Sequence, residues 1–397
     1  MEEIIPKNTV LTRASSERAF LVAVAAGSSK NGWPIDKSLD ELAQLASTAG
    51  AEVVGRLTQR LHTPSRTHYL GKGKLEELIA LKGSTNYNVA VFDDELTPQQ
   101  QKELEEALQV KVIDRVALIL DIFAKHAHTH EGKLQVELAQ HQYLLPRLAG
   151  QWSHLERLGG GIGTRGPGEA QLETDRRLIR NKIDNLKKQI ERVRKHRMLY
   201  RQQRKKSGIP IISLVGYTNT GKSTLLNALS KAEVTVEDKL FATLDPTTRR
   251  LTLPDKSVVL LSDTVGFIRK LPLTVITAFR ATLEELAEAT VLLHIVDLSS
   301  PNAAEQCQIV EDILFELNIA DKPRVTALNK IDLLLDNSKN WDEEKALDYF
   351  SHRTGRSSEN TVIISATKGW GLKKLLKIIN QVINKTTKTF LEKSPLK

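Results

Sequence analysis

One stretch decides the fold: Leu214-Val215-Gly216-Tyr217-Thr218-Asn219-Thr220-Gly221-Lys222-Ser223-Thr224. Its two glycines are separated by four residues and followed by lysine and serine, which is the pattern of a phosphate-binding loop. An apolar run of strand length precedes the loop, and a helical sequence follows it. In this context backbone N–H groups and the helix N-terminus face the phosphates, Lys222 reaches their oxygens, and Ser223 can ligate Mg²⁺. The alternative is a glycine-rich turn that matches by chance.

Three short motifs follow predicted strands further along the chain: Asp263-Thr264-Val265-Gly266, Asn329-Lys330-Ile331-Asp332 and Ser365-Ala366-Thr367-Lys368. The Asp263 carboxylate can hold the Mg²⁺ shell, and the Gly266 N–H can meet a γ-phosphate. Asp332 can accept the ring N–H and the exocyclic amine of guanine, a donor pair that adenine lacks. A backbone N–H near Ser365 can meet the guanine O6. Together with the phosphate-binding loop and in this order, these three motifs resemble the signatures of the Ras-like GTPase superfamily.

Composition sets the outer limits of the interpretation. The chain has 397 residues, of which 40% are hydrophobic and 26% charged, as expected for a soluble protein of two or three domains. No apolar run approaches the length of a membrane span, and the N-terminus lacks a basic leader, so we expect a cytoplasmic location. Cys307 is the single cysteine, which excludes an internal disulfide framework and a cysteine-rich zinc site.

The first 125 residues alternate between strand-like and helix-like patterns. Strands are predicted at residues 20–26, 51–57 and 88–92, and helices at 39–48, 74–82 and from Thr97 to about 108. The run Ser38-Leu39-Asp40-Glu41 has the form of a capping box that opens the first helix. This alternation predicts a small parallel α/β domain over residues 1–125.

Two features of this region are ambiguous. Gly71-Lys72-Gly73-Lys74 precedes a predicted helix and either contacts a phosphate or forms a flexible turn with solvated lysines. His126, His128 and His130 alternate in a polar stretch without a carboxylate or thiol pattern, which favours an exposed loop over a metal site.

Residues 126–207 predict an antiparallel helical hairpin. Two heptad seams carry this prediction, formed by Leu134, Leu138, His141, Leu145 and Leu148 and by Ile179, Ile183, Leu186, Ile190 and Val193. A glycine-rich stretch lies between them and cannot be helical from Gly159 to Gly168, so residues 159–169 are the predicted tip.

The second arm of the hairpin is strongly basic. It has fourteen Lys/Arg and two acidic residues between Arg176 and Lys206, although the whole chain has a net charge of only +9. Charge of one sign on one element favours contact with a phosphate backbone over a merely solvated face. The predicted RNA contacts are Arg157, Arg165, Arg176, Arg177, Arg180, Lys187, Lys188, Arg192, Arg194 and Lys195.

Residues 208–385 predict a Ras-like P-loop GTPase domain with a mostly parallel six-stranded sheet. Its strands are predicted at 211–215, 250–253, 258–262, 291–297, 325–328 and 361–364, and its last helix at 371–383. We expect residues 386–397 to be a disordered tail.

Two longer runs point to a family. They are Gly161-Ile162-Gly163-Thr164-Arg165-Gly166-Pro167-Gly168-Glu169-Ala170-Gln171-Leu172-Glu173-Thr174-Asp175-Arg176-Arg177 and Phe241-Ala242-Thr243-Leu244-Asp245-Pro246-Thr247-Thr248-Arg249. With Asp263 to Ile268, they resemble the HflX family of ribosome-associated GTPases, in the Obg-HflX-like group. The resemblance implies that the protein binds the rRNA of the large ribosomal subunit when loaded with GTP, and we expect it to be a monomer. It also implies that this protein splits, recycles or rescues stalled ribosomes.

The predicted site follows from these motifs. The predicted GTP/GDP-binding residues are Gly216, Tyr217, Thr218, Asn219, Thr220, Gly221, Lys222, Ser223, Thr224, Asp263, Gly266, Asn329, Lys330, Asp332, Ser365, Ala366 and Thr367. The predicted Mg²⁺ ligands are Ser223, Thr243 and Asp263, and the predicted catalytic residues are Lys222, Thr243 and Gly266.

Some roles stay open at this point. Thr247 and Thr248 compete with Thr243 as the switch threonine. Asn219 either helps to bind K⁺ or only stabilises the loop. Phe267 stands where Ras-type enzymes place a water-orienting glutamine, so we expect slow intrinsic hydrolysis.

Two other functions fit parts of the pattern. One is a GTPase that gates an RNA-modification enzyme, although no catalytic cysteine or cofactor motif accompanies it. The other is an NTP-driven RNA remodeller with a second nucleotide site in the N-terminal domain.

Overall fold

The structure, a computed structural model, describes residues 17–26, 34–148, 167–206, 208–230, 240–241, 243–245, 247–270, 275, 280–336, 339–351 and 359–393. It divides into two compact units, Met1–Ile119 and Leu120–Lys397. The domain boundaries proposed from the sequence at 125, 207 and 385 stay predictions. In the part of the chain that is described, no helix is long and apolar enough to cross a membrane.

The N-terminal unit contains a four-stranded parallel sheet with strand order β2-β1-β3-β4. Its elements are β1 (Arg18–Ala26), α1 (Ile35–Ala49), β2 (Glu52–Leu61), α2 (Lys72–Thr85), β3 (Val89–Phe92), α3 (Pro98–Leu108) and β4 (Lys111–Asp114). Helix α4 (Arg115–His126) follows β4. Apolar side chains of β1 and β3, including Phe20, Val22 and Phe92, form its core. The small parallel α/β domain is therefore confirmed, although the sequence patterns missed β4 and α4.

Helix starts show where local patterns hold and where they fail. Thr97 caps α3 as predicted, because its hydroxyl accepts the Gln100 N–H while the Gln100 side chain accepts the Thr97 N–H. The capping box at Ser38 was wrong: α1 begins at Ile35, and Ser38 lies inside it. The Ser38 hydroxyl instead donates to Asp93 (2.7 Å), and Glu41 accepts from Arg115 (2.6 Å). The two side chains that suggested a cap, Ser38 and Glu41, instead form hydrogen bonds with the buried Asp93 and Arg115.

The Gly71–Lys74 turn opens α2. The Gly71 N–H donates to the Gln59 side chain (2.9 Å), and the Lys74 ammonium pairs with Glu77 (2.7 Å). Both groups have structural partners within the N-terminal unit. Among the described residues no group of three His, Cys, Asp or Glu could hold a metal ion, and His126, His128 and His130 form none.

The helical hairpin consists of α5 (His130–Leu144) and α6 (Pro167–Lys206). Its two predicted seams meet, because Leu134 and Leu138 pack against Ile183 and Leu186. Pro167, Gly168 and Glu169, predicted to belong to the tip, begin α6 instead, and proline is well tolerated in the first turn of a helix. The remainder of the tip up to residue 166 lies outside the described residues, and Arg157 and Arg165 lie there with it.

The second unit contains a six-stranded sheet in the order β10-β9-β8-β5-β7-β6, in which only β6 is antiparallel. The strands are β5 (Ile211–Val215), β6 (Thr247–Thr252), β7 (Val258–Asp263), β8 (Val291–Asp297), β9 (Arg324–Asn329) and β10 (Thr361–Ile363). The helices after α6 are α7 (Lys222–Ser230), α8 (Arg280–Glu288), α9 (Ala303–Glu316), α10 (Glu343–Ser351) and α11 (Leu372–Lys393). This confirms the P-loop GTPase fold. The predicted disordered tail was wrong as far as Lys393, where α11 ends.

Candidate functional site

The phosphate-binding loop lies between β5 and α7, as the sequence predicts. Its backbone enters the left-handed region at Gly216 (φ 156°), Asn219 (φ 59°) and Gly221 (φ 91°). A Cβ atom at Gly216 would lie 2.4 Å from the Ile295 carbonyl oxygen, so only glycine fits beside β8. The Lys222 ammonium is buried inside the loop, where it donates to the carbonyls of Tyr217 (2.7 Å) and Gly216 (3.3 Å). Burial lowers the pKa of Lys222 to about 8.

Three oxygen-bearing side chains converge beside the loop. The Ser223 hydroxyl donates to the Asp263 carboxylate (2.6 Å) and lies 2.7 Å from the Thr243 hydroxyl, which itself donates to Asp263 (3.1 Å). Burial raises the pKa of Asp263, while the nearby Lys222 ammonium opposes that shift. Hard divalent cations prefer such carboxylate and hydroxyl oxygens, so the donor set fits Mg²⁺.

The competing threonines lie elsewhere in the same region. Thr247 and Thr248 are the first two residues of β6, and the Thr248 hydroxyl donates to Ser262 (3.3 Å). Sheet pairing therefore determines their positions. Thr243 is the threonine whose hydroxyl meets Ser223 and Asp263.

The segment after β7 is joined to the loop by its backbone. The Thr218 N–H donates to the Phe267 carbonyl (2.7 Å), and the Phe267 N–H donates to the Gly216 carbonyl (3.1 Å). A Cβ atom at Gly266 would lie 2.9 Å from the Lys222 ammonium, so glycine allows this approach. The Phe267 ring is buried in a cluster with Leu283 and Leu286, and its position offers no polar group to a water molecule.

The motifs predicted to bind the base come together beside Thr220 of the loop. The Asn329 amide donates to the Thr220 carbonyl (2.8 Å) and accepts the Ala366 N–H (2.9 Å). Lys330 has φ 65° and its ammonium pairs with Asp297 (2.9 Å). Asp332 is half-buried in a short 3-10 turn, Ile331–Leu334. The structure thus links the motifs that were predicted separately.

The remaining predicted residues differ in exposure. Tyr217, Thr218, Thr220, Ser365 and Ala366 are buried; Asn219, Ser223 and Thr224 are half-buried, and Thr367 is exposed. The Tyr217 hydroxyl accepts the Arg269 N–H (2.9 Å), and the Thr220 hydroxyl donates to the Tyr217 carbonyl (3.0 Å). Sequence reasoning missed Asp297, whose position at the end of β8 was its one available signal.

The basic residues of α6 form a largely exposed face. Arg177, Arg180, Lys187, Lys188, Arg192, Arg194 and Lys195 are exposed, and Arg176 is half-buried. Two of them form ion pairs: the Arg180 guanidinium lies 3.7 Å from the Glu173 carboxylate, and the Arg194 guanidinium lies 3.7 Å from the Glu191 carboxylate. We name these eight residues the basic face of α6.

Known families match three consecutive parts of the chain. Residues 36–124 match the family described as GTP-binding GTPase N-terminal, residues 126–204 the GTP-binding GTPase middle region, and residues 211–330 the 50S ribosome-binding GTPase. Together they extend over both described units.

Individual proteins also resemble the chain. A GTPase HflX of Caldanaerobacter subterraneus subsp. tengcongensis is 54% identical over 80% of this chain and 73% of its own length. A GTPase HflX of Lacrimispora saccharolytica is 48% identical over 95% of this chain and 85% of its own. Among solved structures, a GTP-binding protein of Sulfolobus solfataricus in complex with GDP aligns with a TM-score of 0.46 and 24% identity, over 93% of this chain and 99% of that one.

Proposed function

The chain belongs to the HflX family of GTPases, and on this premise we propose that it binds the large ribosomal subunit in its GTP-bound state and splits, recycles or rescues stalled ribosomes. The family resemblance read from the sequence motifs is confirmed by the relatives, and with it GTP hydrolysis. The observation that carries the ribosomal part is the match of residues 211–330 to the 50S ribosome-binding GTPase family, in a chain that also has a basic helical arm.

In this proposal the nucleotide occupies the loop 216–224 with its base against Asn329 and Asp332. Ser223, Thr243 and Asp263 would hold Mg²⁺, which would neutralise charge on the phosphates. Lys222 and the Gly266 N–H face the transferred phosphoryl group, where fixed positive groups stabilise the transition state. The two short distances from Thr243 to Ser223 and Asp263 support its choice over Thr247 and Thr248.

Potassium is a further candidate cation. Asn219 lies in the loop with φ 59°, a half-buried residue beside the predicted phosphate position. Its amide oxygen would ligate K⁺ there, and the K⁺ ion would supply positive charge during hydrolysis. Faster turnover in KCl than in NaCl that disappears in Asn219→Ala would support this role, and equal turnover in the two salts would contradict it.

GTP controls binding through the switch segments. Thr243 would contact bound Mg²⁺ and the Gly266 N–H would contact the γ-phosphate, and both segments would lose these contacts on hydrolysis. We propose that the ribosome binds the GTP-bound state more tightly than the GDP-bound state. The difference in affinity then supplies the free energy for acting on the ribosome.

The basic face of α6 would contact rRNA phosphates. Its exposed cations lie on one helix, and electrostatic contacts of this kind give an affinity that falls steeply with salt. The glycine-rich tip would reach further into the RNA, since glycines allow close approach of the backbone.

Co-sedimentation tests the proposal directly. The full chain is mixed with isolated large subunits in the presence of a non-hydrolysable GTP analogue, GDP or no nucleotide. We expect binding with the GTP analogue to exceed binding with GDP. Binding that is strongest with GDP, or absent in all three states, would overturn the functional assignment.

A charge variant tests the role of the arm. Changing Lys187, Lys188 and Arg192 to Gln removes three exposed cations of the basic face. We expect the slope of log affinity against log salt to fall by about two to three, since each phosphate contact contributes about 0.9 for a duplex. The matched control changes Lys373, Lys374 and Lys377, three exposed lysines of α11, to Gln. If both triple changes lower the slope equally, only the net charge of the protein matters for binding, and the basic face of α6 has no specific role.

A further inference from the structure

The segment that carries Thr243 is attached at both ends to helices outside the sheet. On its N-terminal side, Phe241 has φ 58°, a conformation that is rare for a bulky residue. Its buried ring packs edge-to-face on Phe123 of α4, with 4.7 Å between the ring centroids. This contact holds the chain two residues before Thr243.

On its C-terminal side, Asp245 binds the start of the helical hairpin. One carboxylate oxygen accepts the N–H groups of His128 (2.8 Å) and Thr129 (2.7 Å). The other accepts the Thr129 hydroxyl, whose oxygen in turn caps α5 by accepting the Gly132 N–H (3.0 Å). A carboxylate at a helix N-terminus also interacts favourably with the helix dipole. Asp245 therefore belongs to the cap of α5 although it lies over a hundred residues away in the chain.

Gly132 makes this contact sterically possible. A Cβ atom at Gly132 would lie 2.3 Å from the Asp245 carboxylate and 3.1 Å from the Thr129 hydroxyl. Gly132 lies in the first turn of α5, where its backbone conformation is helical and requires no glycine. The side chain of Asp245 occupies the space that its missing Cβ leaves.

We propose that Asp245 is a positioning residue that couples the nucleotide pocket to the helical hairpin. Its attachment to α5 holds Thr243 where the threonine hydroxyl meets Ser223 and Asp263. Coupling between two sites is reciprocal, so GTP with Mg²⁺, by fixing Thr243, strengthens the cap of α5. By the same linkage, anything that fixes the hairpin raises affinity for GTP over GDP. This inference rests on the assignment of Thr243 to Mg²⁺ in the proposed function.

The decisive variant is Gly132→Ala in the full chain. Alanine favours helix formation more than glycine does, but its methyl group would meet the Asp245 carboxylate. A merely structural role for Gly132 therefore predicts at most a change in melting temperature, with the ratio of GDP to GTP-analogue dissociation constants unchanged. Coupling predicts that the added methyl group displaces the Asp245 carboxylate. The ratio of GDP to GTP-analogue dissociation constants should then fall by about fivefold or more, in the usual range of such couplings.

Gly83→Ala is the matched control. Gly83 lies in α2, and a Cβ atom there would meet no heavy atom within 4 Å. The same chemical change in a helix should leave the ratio of dissociation constants as it is in the wild type. If Gly132→Ala leaves that ratio unchanged as well, the coupling does not exist.

A measurement on the unmodified protein removes any dependence on folding of a variant. The amides of His128 and Thr129 should exchange hydrogen more slowly with the GTP analogue bound than with GDP bound, because they donate to Asp245. Equal exchange in the two states would overturn the proposal.

Thr243→Ala separates the two assignments. If it lowers the ratio while Gly132→Ala and Asp245→Asn do not, Thr243 keeps its role and the coupling fails. If Thr243→Ala itself has no effect, the assignment of Thr243 to Mg²⁺ is wrong.

Discussion

Asn329 joins two loops of the nucleotide pocket through one side chain. Its amide is buried, and it satisfies the Thr220 carbonyl and the Ala366 N–H together. Gly221 permits this arrangement, because a Cβ atom there would lie 2.5 Å from the Asn329 nitrogen. The phosphate loop and the base-reading loops therefore keep their relative positions through contacts made by the protein alone.

Base specificity can be tested at Asp332. In Asp332→Asn the amide nitrogen can donate to the 2-oxo group of xanthine but cannot accept the donors of guanine. We expect GTP affinity to fall by tenfold or more, at about 1–3 kcal/mol for each buried donor left unpaired, and XTP affinity to rise. Competition between the two nucleotides measures both changes. Asp336→Asn, an exposed position in the same loop, is the control and should keep GTP preference. Unaltered GTP preference in Asp332→Asn would contradict guanine recognition by this carboxylate.

His294 gives the fold a defined dependence on pH. It lies in the middle of β8 and is buried, and burial together with repulsion from Arg324 lowers its pKa from 6.5 to about 4. Between these values the unfolded chain binds a proton that the folded chain does not. Stability contributed by neutral His294 is therefore complete above about pH 6.5 and is lost as the pH falls towards 4, by up to about 3 kcal/mol.

His294→Gln removes this titration. We expect the free energy of unfolding of the variant to change less between pH 6.5 and 4.5 than that of the wild type. The difference between the two slopes of free energy against pH should correspond to at most one bound proton. Urea unfolding at a series of pH values measures it. Parallel curves for the two proteins would show that His294 does not titrate in this way.

At the scale of elements, Arg197 contacts both the other arm of the hairpin and a helix of the GTPase domain. The Arg197 guanidinium of α6 lies 3.0 Å from Glu131 in the first turn of α5 and 3.4 Å from Glu285 of α8. Both carboxylates are mostly buried, with 11% and 16% of the side chain exposed. Charges with so little access to water depend on their partner.

Arg197→Met should therefore destabilise the second unit, because it leaves two mostly buried carboxylates without this cation. We expect a loss of about 1–3 kcal/mol, less than for a fully buried pair because Arg197 is partly exposed. Arg194→Met, one turn away and exposed, should cost less than about 0.5 kcal/mol. Urea unfolding compares them, and equal losses would show that the Arg197 contacts contribute nothing special.

Elements with a strong local signal could be predicted from the sequence. The strand before the phosphate loop, the capped α3 and the heptad seams of the hairpin each depend on neighbouring residues, and each is found where it was expected. The capping box predicted at Ser38 was wrong because the hydrogen-bond partner of Ser38, Asp93, lies in a distant part of the chain. The end of α11 failed because polar composition alone does not terminate a helix.

The same distinction applies to the candidate site. The phosphate loop and Asn329 follow from motifs with a fixed chemical reason. The sequence placed Thr243 ahead of Thr247 and Thr248 but left all three open, because the distinction depends on which hydroxyl the fold brings to Ser223 and Asp263. Asp245 and Arg197 gave no signal, since their partners are distant in sequence and form no motif.

At the scale of the whole molecule, the protein is a GTPase whose hydrolysis we expect to depend on its partner. Phe267 is buried among apolar side chains, so the position after Gly266 contributes no group that orients the attacking water. Intrinsic turnover should be slow, and large ribosomal subunits should increase it more than about threefold by ordering the switch segments or supplying a group.

Single-turnover GTP hydrolysis with and without large subunits measures this effect. The variant with Lys187, Lys188 and Arg192 changed to Gln should lose most of the stimulation while keeping its intrinsic rate, since these residues lie outside the pocket. Stimulation below about threefold in the wild type would contradict dependence on the ribosome.

Helix α6 is 40 residues long, and about thirty of them separate Arg197 from Pro167. At 1.5 Å per residue that distance is about 45 Å. Tilting so long a rod by about five degrees around Arg197 would sweep its far end through about 4 Å, more than the diameter of a water molecule. A small angular adjustment of α6 at Arg197 would therefore become a displacement of several ångströms at the opposite end of the helix.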